Sequence, residues 1–311
     1  MTKPEDTSGA NANRIAHQAA YWFARLLETD TRDNDYPSFR EWLQADPMHA
    51  EAYARLERLW SAAGSQPPQS NPSLSRRGVL KAGGGLLAIL GIAGSIELYR
   101  QGKPDFKTDV GQRQVIALED GSEIELSAAT SFSVAFTRSE RRLLLHQGEI
   151  YCRVAASPGR PFIVEAGNLT ATALGTAYSV AIQPDGGAGV TVTEHDVLVE
   201  LGGSSRTVSA GESVDARDGR LSYTVQGENE NRLAWTRGSL VFLSTPLGDV
   251  IASLNRWRKG RLVVLDEVLA ARPITAIIDV SRIETIDQTL GDGLGLHITS
   301  YTPWLTLVSA K

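Results

Sequence analysis

The sequence predicts a multidomain chain: a small all-α N-terminal domain, one transmembrane helix, an all-β sandwich or roll, and a C-terminal α+β domain. Three observations predict it. Residues 11–63 carry apolar side chains at helical spacing. Residues 82–96 form the one long uncharged apolar run. From Thr108 to about Tyr223, short alternating runs are separated by turn signals. A length of 311 residues leaves room for two or three ordinary domains.

Charge divides the chain the same way. Residues 1–75 are net −3, residues 76–103 net +4 and residues 104–311 net −6. With −5 overall, there is no global pull toward nucleic acid. One cysteine excludes an intramolecular disulfide and a Cys₂ or Cys₄ zinc site. Five scattered histidines argue against a metal centre, and no cofactor motif is present.

In the first helix Ile15, Ala19, Trp22, Phe23, Leu26 and Leu27 share one face. A polar acidic break follows at Thr29 to Asp35. Ser38 and Glu41 form a capping-box pattern that predicts the start of a second helix, with Phe39, Trp42 and Leu43 as its apolar residues. Asp46-Pro47 reads as an N-cap with proline at the first helical position, opening a third helix with Tyr53, Leu56 and Trp60 on one face. Three short helices bury little, so an apolar groove for a partner is expected. A DNA-binding helix-turn-helix would want a basic recognition helix, and this acidic region has none.

Residues 61–75, SAAGSQPPQSNPSLS, have linker composition. Next, Ser75-Arg76-Arg77-Gly78-Val79-Leu80-Lys81 matches a twin-arginine export signal, with Arg76 and Arg77 as its receptor-read pair. The uncharged run Ala82–Ile96 extends to 20 residues from Val79 to Leu98, about the length that spans a bilayer. Basic residues on its N-terminal side predict a cytoplasmic N-terminus. Gly83, Gly84, Gly85, Gly91 and Gly94 weaken this helix, which fits either the mild apolar region of a twin-arginine signal or a segment unwound by an intramembrane protease.

Beyond the membrane segment, strands are predicted at 114–118, 123–126, 131–136, 141–146, 149–154, 162–165, 169–174, 177–182, 190–193, 197–201 and 221–225. Asp120-Gly121 and Asp218-Gly219 are hairpin turns. Cys152 alternates with Ile150 and Val154, so it reads as a buried small hydrophobe. Glu194-His195-Asp196 would place His195 on the opposite strand face from its neighbours, which argues against catalysis. His146 and His297 stand alone. From Trp235 the pattern becomes α+β: strand 240–243, helix 246–257, strands 261–265 and 274–280, helix 283–290, then strands 296–300 and 304–308. Gly291-Asp292-Gly293-Leu294-Gly295 follows a helix, so it reads as a helix stop rather than a dinucleotide fingerprint.

The helical series Ala20, Trp22, Leu26, Phe39, Trp42, Leu43, Asp46, Pro47, His49, Ala52, Tyr53, Leu56 and Trp60 resembles the N-terminal domain of the FecR/PupR family of sigma-factor regulators, or anti-sigma factors. Gly148-Glu149-Ile150-Tyr151 resembles that family's G-E-x-[YF] signature, Arg160-Pro161-Phe162-Ile163-Val164 its R-P-F-x-V strand, and Leu174-Gly175-Thr176-Ala177-Tyr178-Ser179-Val180 its L-G-T-x-[FY]-x-V stretch. Val197-Leu198-Val199 and Ala210-Gly211-Glu212 fit less tightly, and His195-Asp196 stands where the family has a glycine. Trp235, Gly238, Leu240, Phe242, Pro246-Leu247 and Asn255-Arg256-Trp257 resemble the family's C-terminal segment, which is similar to the short domain of secretins and TonB-dependent transducers.

The resemblance implies the following organisation: a cytoplasmic sigma-binding domain at 1–63, a linker with the twin-arginine motif at 64–78, a membrane span at 79–98, a periplasmic FecR-like β domain at 104–226 and a periplasmic short domain at 233–311. It implies binding of an extracytoplasmic-function (ECF) sigma factor through Trp22, Leu26, Phe39, Trp42, Leu43, Tyr53, Leu56 and Trp60. It also implies contact with a TonB-dependent outer-membrane transducer, loaded with a ferric siderophore or similar ligand, around Trp235, Leu240, Phe242, Leu247 and Trp257. The resemblance further implies that some relatives are cut at the bond corresponding to Gly175-Thr176, where the residues read equally as a glycine needed for close strand packing, and that an intramembrane protease relays the signal. No enzyme activity, cofactor or direct nucleic-acid contact is implied. The alternative expectation is a periplasmic ligand-binding or envelope-scaffold protein anchored by its twin-arginine signal.

Overall fold

The computed structural model describes residues 7–27, 32–62, 103–183, 186–224 and 229–311. The predicted span at 79–98 and the Arg76-Arg77 motif lie outside these residues. Among the described residues no helix is long and apolar enough to cross a membrane.

Three helices open the chain: α1 (Thr7–Leu27), α2 (Arg32–Ala45) and α3 (Pro47–Ala62). The third starts where Asp46-Pro47 predicts, and the Asp46 carboxylate accepts from Met48 N at 2.8 Å. The second does not start at Ser38. It begins at Arg32 and carries Pro37 inside. Proline lacks one helical donor but has a helical φ, and the Asp35 carboxylate on the early turn is held by Arg25 of α1 at 2.8 Å. That tertiary contact outweighs the local capping pattern.

The middle of the chain is a sandwich of fourteen strands among the described residues: β1 (Phe106–Lys107), β2 (Gln114–Ala117), β3 (Glu123–Leu126), β4 (Ser131–Phe136), β5 (Arg141–Gln147), β6 (Glu149–Arg153), β7 (Phe162–Ala166), β8 (Leu169–Ala173), β9 (Ala177–Ile182), β10 (Ala188–Glu194), β11 (Asp196–Leu201), β12 (Ser204–Ser209), β13 (Ser213–Arg217) and β14 (Arg220–Thr224). They form two seven-stranded sheets, ordered β1-β4-β5-β7-β8-β11-β12 and β14-β13-β10-β9-β6-β3-β2. All pairings are antiparallel except β5 with β7. Inward residues of both sheets make one core, including Ile124, Phe132, Leu143, Ile150, Phe162, Tyr178, Val190 and Val199. Cys152 lies in that core, fully buried, and burial pushes its thiol far above the ordinary value. Both predicted hairpins form; Asp218 and Gly219 take the left-handed backbone at φ 52° and 71°.

The sandwich is fastened at one end by a buried ion pair. Arg141 Nη1 lies 2.8 Å from the Asp120 carboxylate, with the side chains 1% and 5% exposed. The same guanidinium donates to the carbonyls of Ala155 and Arg160 and sits 5.3 Å from the Phe162 ring centre. Burial alone would raise the Asp120 pKa. Hydrogen bonds from Ser122 and Arg141 outweigh it and hold the carboxyl below its ordinary value.

The C-terminal unit contains α4 (Asn229–Arg232), a 3₁₀ turn at Ala234–Arg237, β15 (Ser239–Pro246), α5 (Leu247–Leu254), β16 (Arg261–Val264), α6 (Glu267–Ala270), β17 (Pro273–Asp279), a 3₁₀ segment at Val280–Thr285, α7 (Ile286–Leu294), β18 (Leu296–Thr302) and β19 (Leu305–Ala310). Strands β15 and β17 pair antiparallel; β16, β19 and β18 form a second, mixed sheet. Helix α7 runs through Gly291–Leu294 and stops at Gly295, whose φ of 65° supplies the left-handed cap. Trp304 lies in the turn before β19, 62% exposed, rather than in the strand where its apolar character placed it.

Candidate interaction surfaces

The sigma-binding residues named from sequence divide into two groups. Trp22, Leu26, Trp42, Leu43 and Tyr53 are half-buried, whereas Phe39, Leu56 and Trp60 are 6%, 0% and 8% exposed. Trp22, Phe39 and Trp42 cluster between α1 and α2, with ring centres 6.0 to 6.4 Å apart. The Trp42 indole stacks on His49 at 4.6 Å and donates to Gln18 at 3.2 Å. Tyr21 and Tyr36, 46% and 51% exposed, extend this cluster to the surface. Aromatic anchors that keep a polar handle suit a protein interface.

Leu56 and Trp60 sit elsewhere. With Ala16, Ala19, Ala20, Phe23 and Ala24 they join Val263, Leu265, Leu305 and Leu307 in one apolar cluster. Thus α1 and α3 rest on the outer face of the β16-β19-β18 sheet. Arg261 Nη1 donates to the carbonyls of Trp60 at 2.6 Å and Leu59 at 3.1 Å, at the end of α3. Arg55 meets Glu267 at 2.5 Å, and His17 Nδ1 lies 2.6 Å from the Tyr301 hydroxyl. Burial, and then the charge of His297, keep the His17 imidazole below its ordinary pKa. No sequence signal pointed to this seam, because its partners lie more than 200 positions apart.

The transducer-contact residues require correction. Trp235, Leu240, Phe242, Leu247 and Trp257 are 3%, 7%, 8%, 0% and 3% exposed. They form the core of the C-terminal unit and of its junction with the sandwich, so their side chains are not available to a partner. Their apolar character reflected packing. The exposed apolar side chains of this unit are Leu243, Val268, Ile277 and Trp304.

That junction explains the Gly148-Glu149-Ile150-Tyr151 signature. A Cβ at Gly148 would lie 2.2 Å from the Thr130 hydroxyl, and its φ is 84°, so only glycine fits. Ile150 enters the sandwich core, whereas Tyr151 packs against the C-terminal core. Glu149 accepts from Ser179 at 2.7 Å. It shares with Arg256 the lining of a cavity of ≈150 Å³ between the two units. Burial raises the Glu149 carboxyl and lowers the Arg256 guanidinium from their ordinary values, each opposed by the other's charge. Further ties are Gly111 N to Arg256 O at 3.0 Å and a bidentate Arg232–Asp215 pair at 3.0 and 2.6 Å.

At Gly175-Thr176, a Cβ on Gly175 would come within 2.8 Å of Ala156 Cα. Thr176 is 4% exposed and its hydroxyl donates to the Glu194 carbonyl. His195 supplies the tight turn where the family has glycine, by adopting φ 53°. Among the described residues no cluster of three or more His, Cys, Asp or Glu could hold a metal ion.

Residues 105–198 match the family model described as FecR protein, and residues 17–59 match a domain of unknown function, DUF4880. No curated protein matches the chain. The fold is similar to a crystal structure of a protein from Parabacteroides distasonis proposed to be an anti-sigma factor. The identity is 23%, the coverage 66% of this chain and 98% of that chain, and the TM-score 0.60. A second crystal structure with the same description gives a TM-score of 0.59 at the same identity and coverage. Likeness at this identity establishes the fold. The sandwich over residues 105–198 is thus similar to FecR protein, and the helices over residues 17–59 to DUF4880.

Proposed function

We propose that the protein is an anti-sigma factor: a regulator, not an enzyme, that binds an ECF sigma factor through its N-terminal helices. The observation that carries this reading is the half-exposed aromatic cluster Trp22, Trp42, Tyr21 and Tyr36 on the unit matched by DUF4880, ahead of a FecR domain. Residues 79–98 span the inner membrane once, the N-terminus is cytoplasmic, and Arg76-Arg77 directs export of the rest. The C-terminal unit faces a TonB-dependent transducer through its exposed Leu243, Val268, Ile277 and Trp304, while the buried tryptophans shape that surface. The relay runs through proteolysis near residues 82–98, with self-cleavage between Gly175 and Thr176 as an earlier event. That cleavage requires the Thr176 hydroxyl to leave Glu194, and Thr176→Ala would preserve the full mass of the chain.

The test is co-precipitation of the full chain from its host. A stoichiometric sigma factor that is lost with Trp42→Ala, while the helices keep their circular dichroism, supports the reading. A folded chain that retains no sigma factor overturns it.

A further inference from the structure

We propose that α1 and α3 dock on the outer face of the β16-β19-β18 sheet while the chain is still on one side of the membrane, so that the protein is made in a self-closed form. The inference rests on the membrane topology proposed above, because a bilayer between residue 62 and residue 103 would separate the two surfaces. Docked and inserted forms therefore exclude one another in a single molecule. Before export of the C-terminal unit, both surfaces lie in the compartment where the chain is made.

The seam is built like an interface. One face of the sheet serves the C-terminal core through Leu262, Val264, Leu296 and Val308. The other carries Val263, Leu265, Leu305 and Leu307, 1% to 7% exposed beneath the helices. Left open, that face would be an apolar patch of the kind that promotes association. Helix α3 has no basic residue in its last turn. Arg261 supplies one from the sheet, bonding two terminal carbonyls and lying 5.1 Å from the Trp60 ring centre. Beside the seam lies a cleft of ≈170 Å³, lined by Met48, Arg55, Arg58 and Glu267 among others. Docking covers Leu56 and Trp60 but leaves Trp22 and Trp42 half-exposed, so it removes part of the proposed sigma-binding surface.

The experiment uses the full chain with Arg55→Cys and Glu267→Cys and a short bismaleimide linker. The native thiol, Cys152, is buried and stays silent. The chain is followed in cells with its own signal and with Arg76→Lys plus Arg77→Lys, and a C-terminal tag probed with external protease reports the side of the membrane. We expect cross-linking wherever the C-terminal unit is still inside and none where it is outside. Arg261→Ala should reduce the yield about tenfold by removing charge-assisted bonds. A folded inside chain that does not cross-link, or a yield unmoved by Arg261→Ala, overturns the docked form. Cross-linking of a chain whose C-terminal unit is outside overturns the topology and leaves the docking standing. Should the double-lysine chain still be exported, the pair is read on the purified full chain in detergent micelles, where absence of the cross-link again overturns docking.

Discussion

The β sandwich and the N-terminal helices solve the same problem in opposite ways. The sandwich closes two sheets on one core, and its largest inward side chains are completely covered by its own strands. The three helices complete their core with side chains from β16 and β19, some 200 residues away. A unit that finishes its own core has no need of a partner, whereas one that borrows part of it is ready to exchange partners.

Arg141→Ala would strike the sandwich hardest. It leaves Asp120 buried without its partner, and we expect a loss of about 3–5 kcal/mol by denaturant unfolding. The same pair sets an acid limit. The folded pKa of Asp120 is depressed, so its stabilisation is fully present above the unfolded value near ~4 and is lost as pH falls through the folded value. Unfolding midpoints between pH 5 and pH 2 should show this loss, and Arg141→Ala should flatten it. Leu56→Ala should cost about 2–3 kcal/mol and be felt in the helices and the sheet face beneath them, not in the sandwich. Hydrogen exchange should then quicken in α1 and α3 but not in β5–β9, and equal quickening in both would break the comparison. His195→Gly should stabilise the sandwich by about 1 kcal/mol, because a left-handed residue loses its Cβ clash. Arg55→Ala should change stability by less than ~1 kcal/mol, since Glu267 is largely exposed. A larger effect would make the seam part of the folding unit rather than a releasable contact.

Much of the sandwich was legible. Alternation located its inner strands, and Asp-Gly pairs located two hairpins. Strands β1, β12 and β13 have no counterpart among the predicted strands. Of the six residues of Ser204–Ser209 only Val208 is buried, so no apolar alternation marks the strand. In the helices, Asp46-Pro47 was read correctly because an N-cap is a local device. Ser38-Glu41 does not open a helix, because Arg25 of α1 holds Asp35 on the earlier first turn of α2. At the candidate surfaces, the family resemblance singles out Trp235, Phe242 and Trp257 but not which way they face. Burial and docking both select large apolar side chains.

Periodicity, turns and caps act between near neighbours, so the helical entry and the sandwich class can be read from the residues alone. It took the packing of distant segments to place Glu149 at a junction, to bury Trp235 and Trp257, and to set Arg261 at the end of α3. Those facts depend on which surfaces meet across long chain separations, and local sequence chemistry does not encode such meetings.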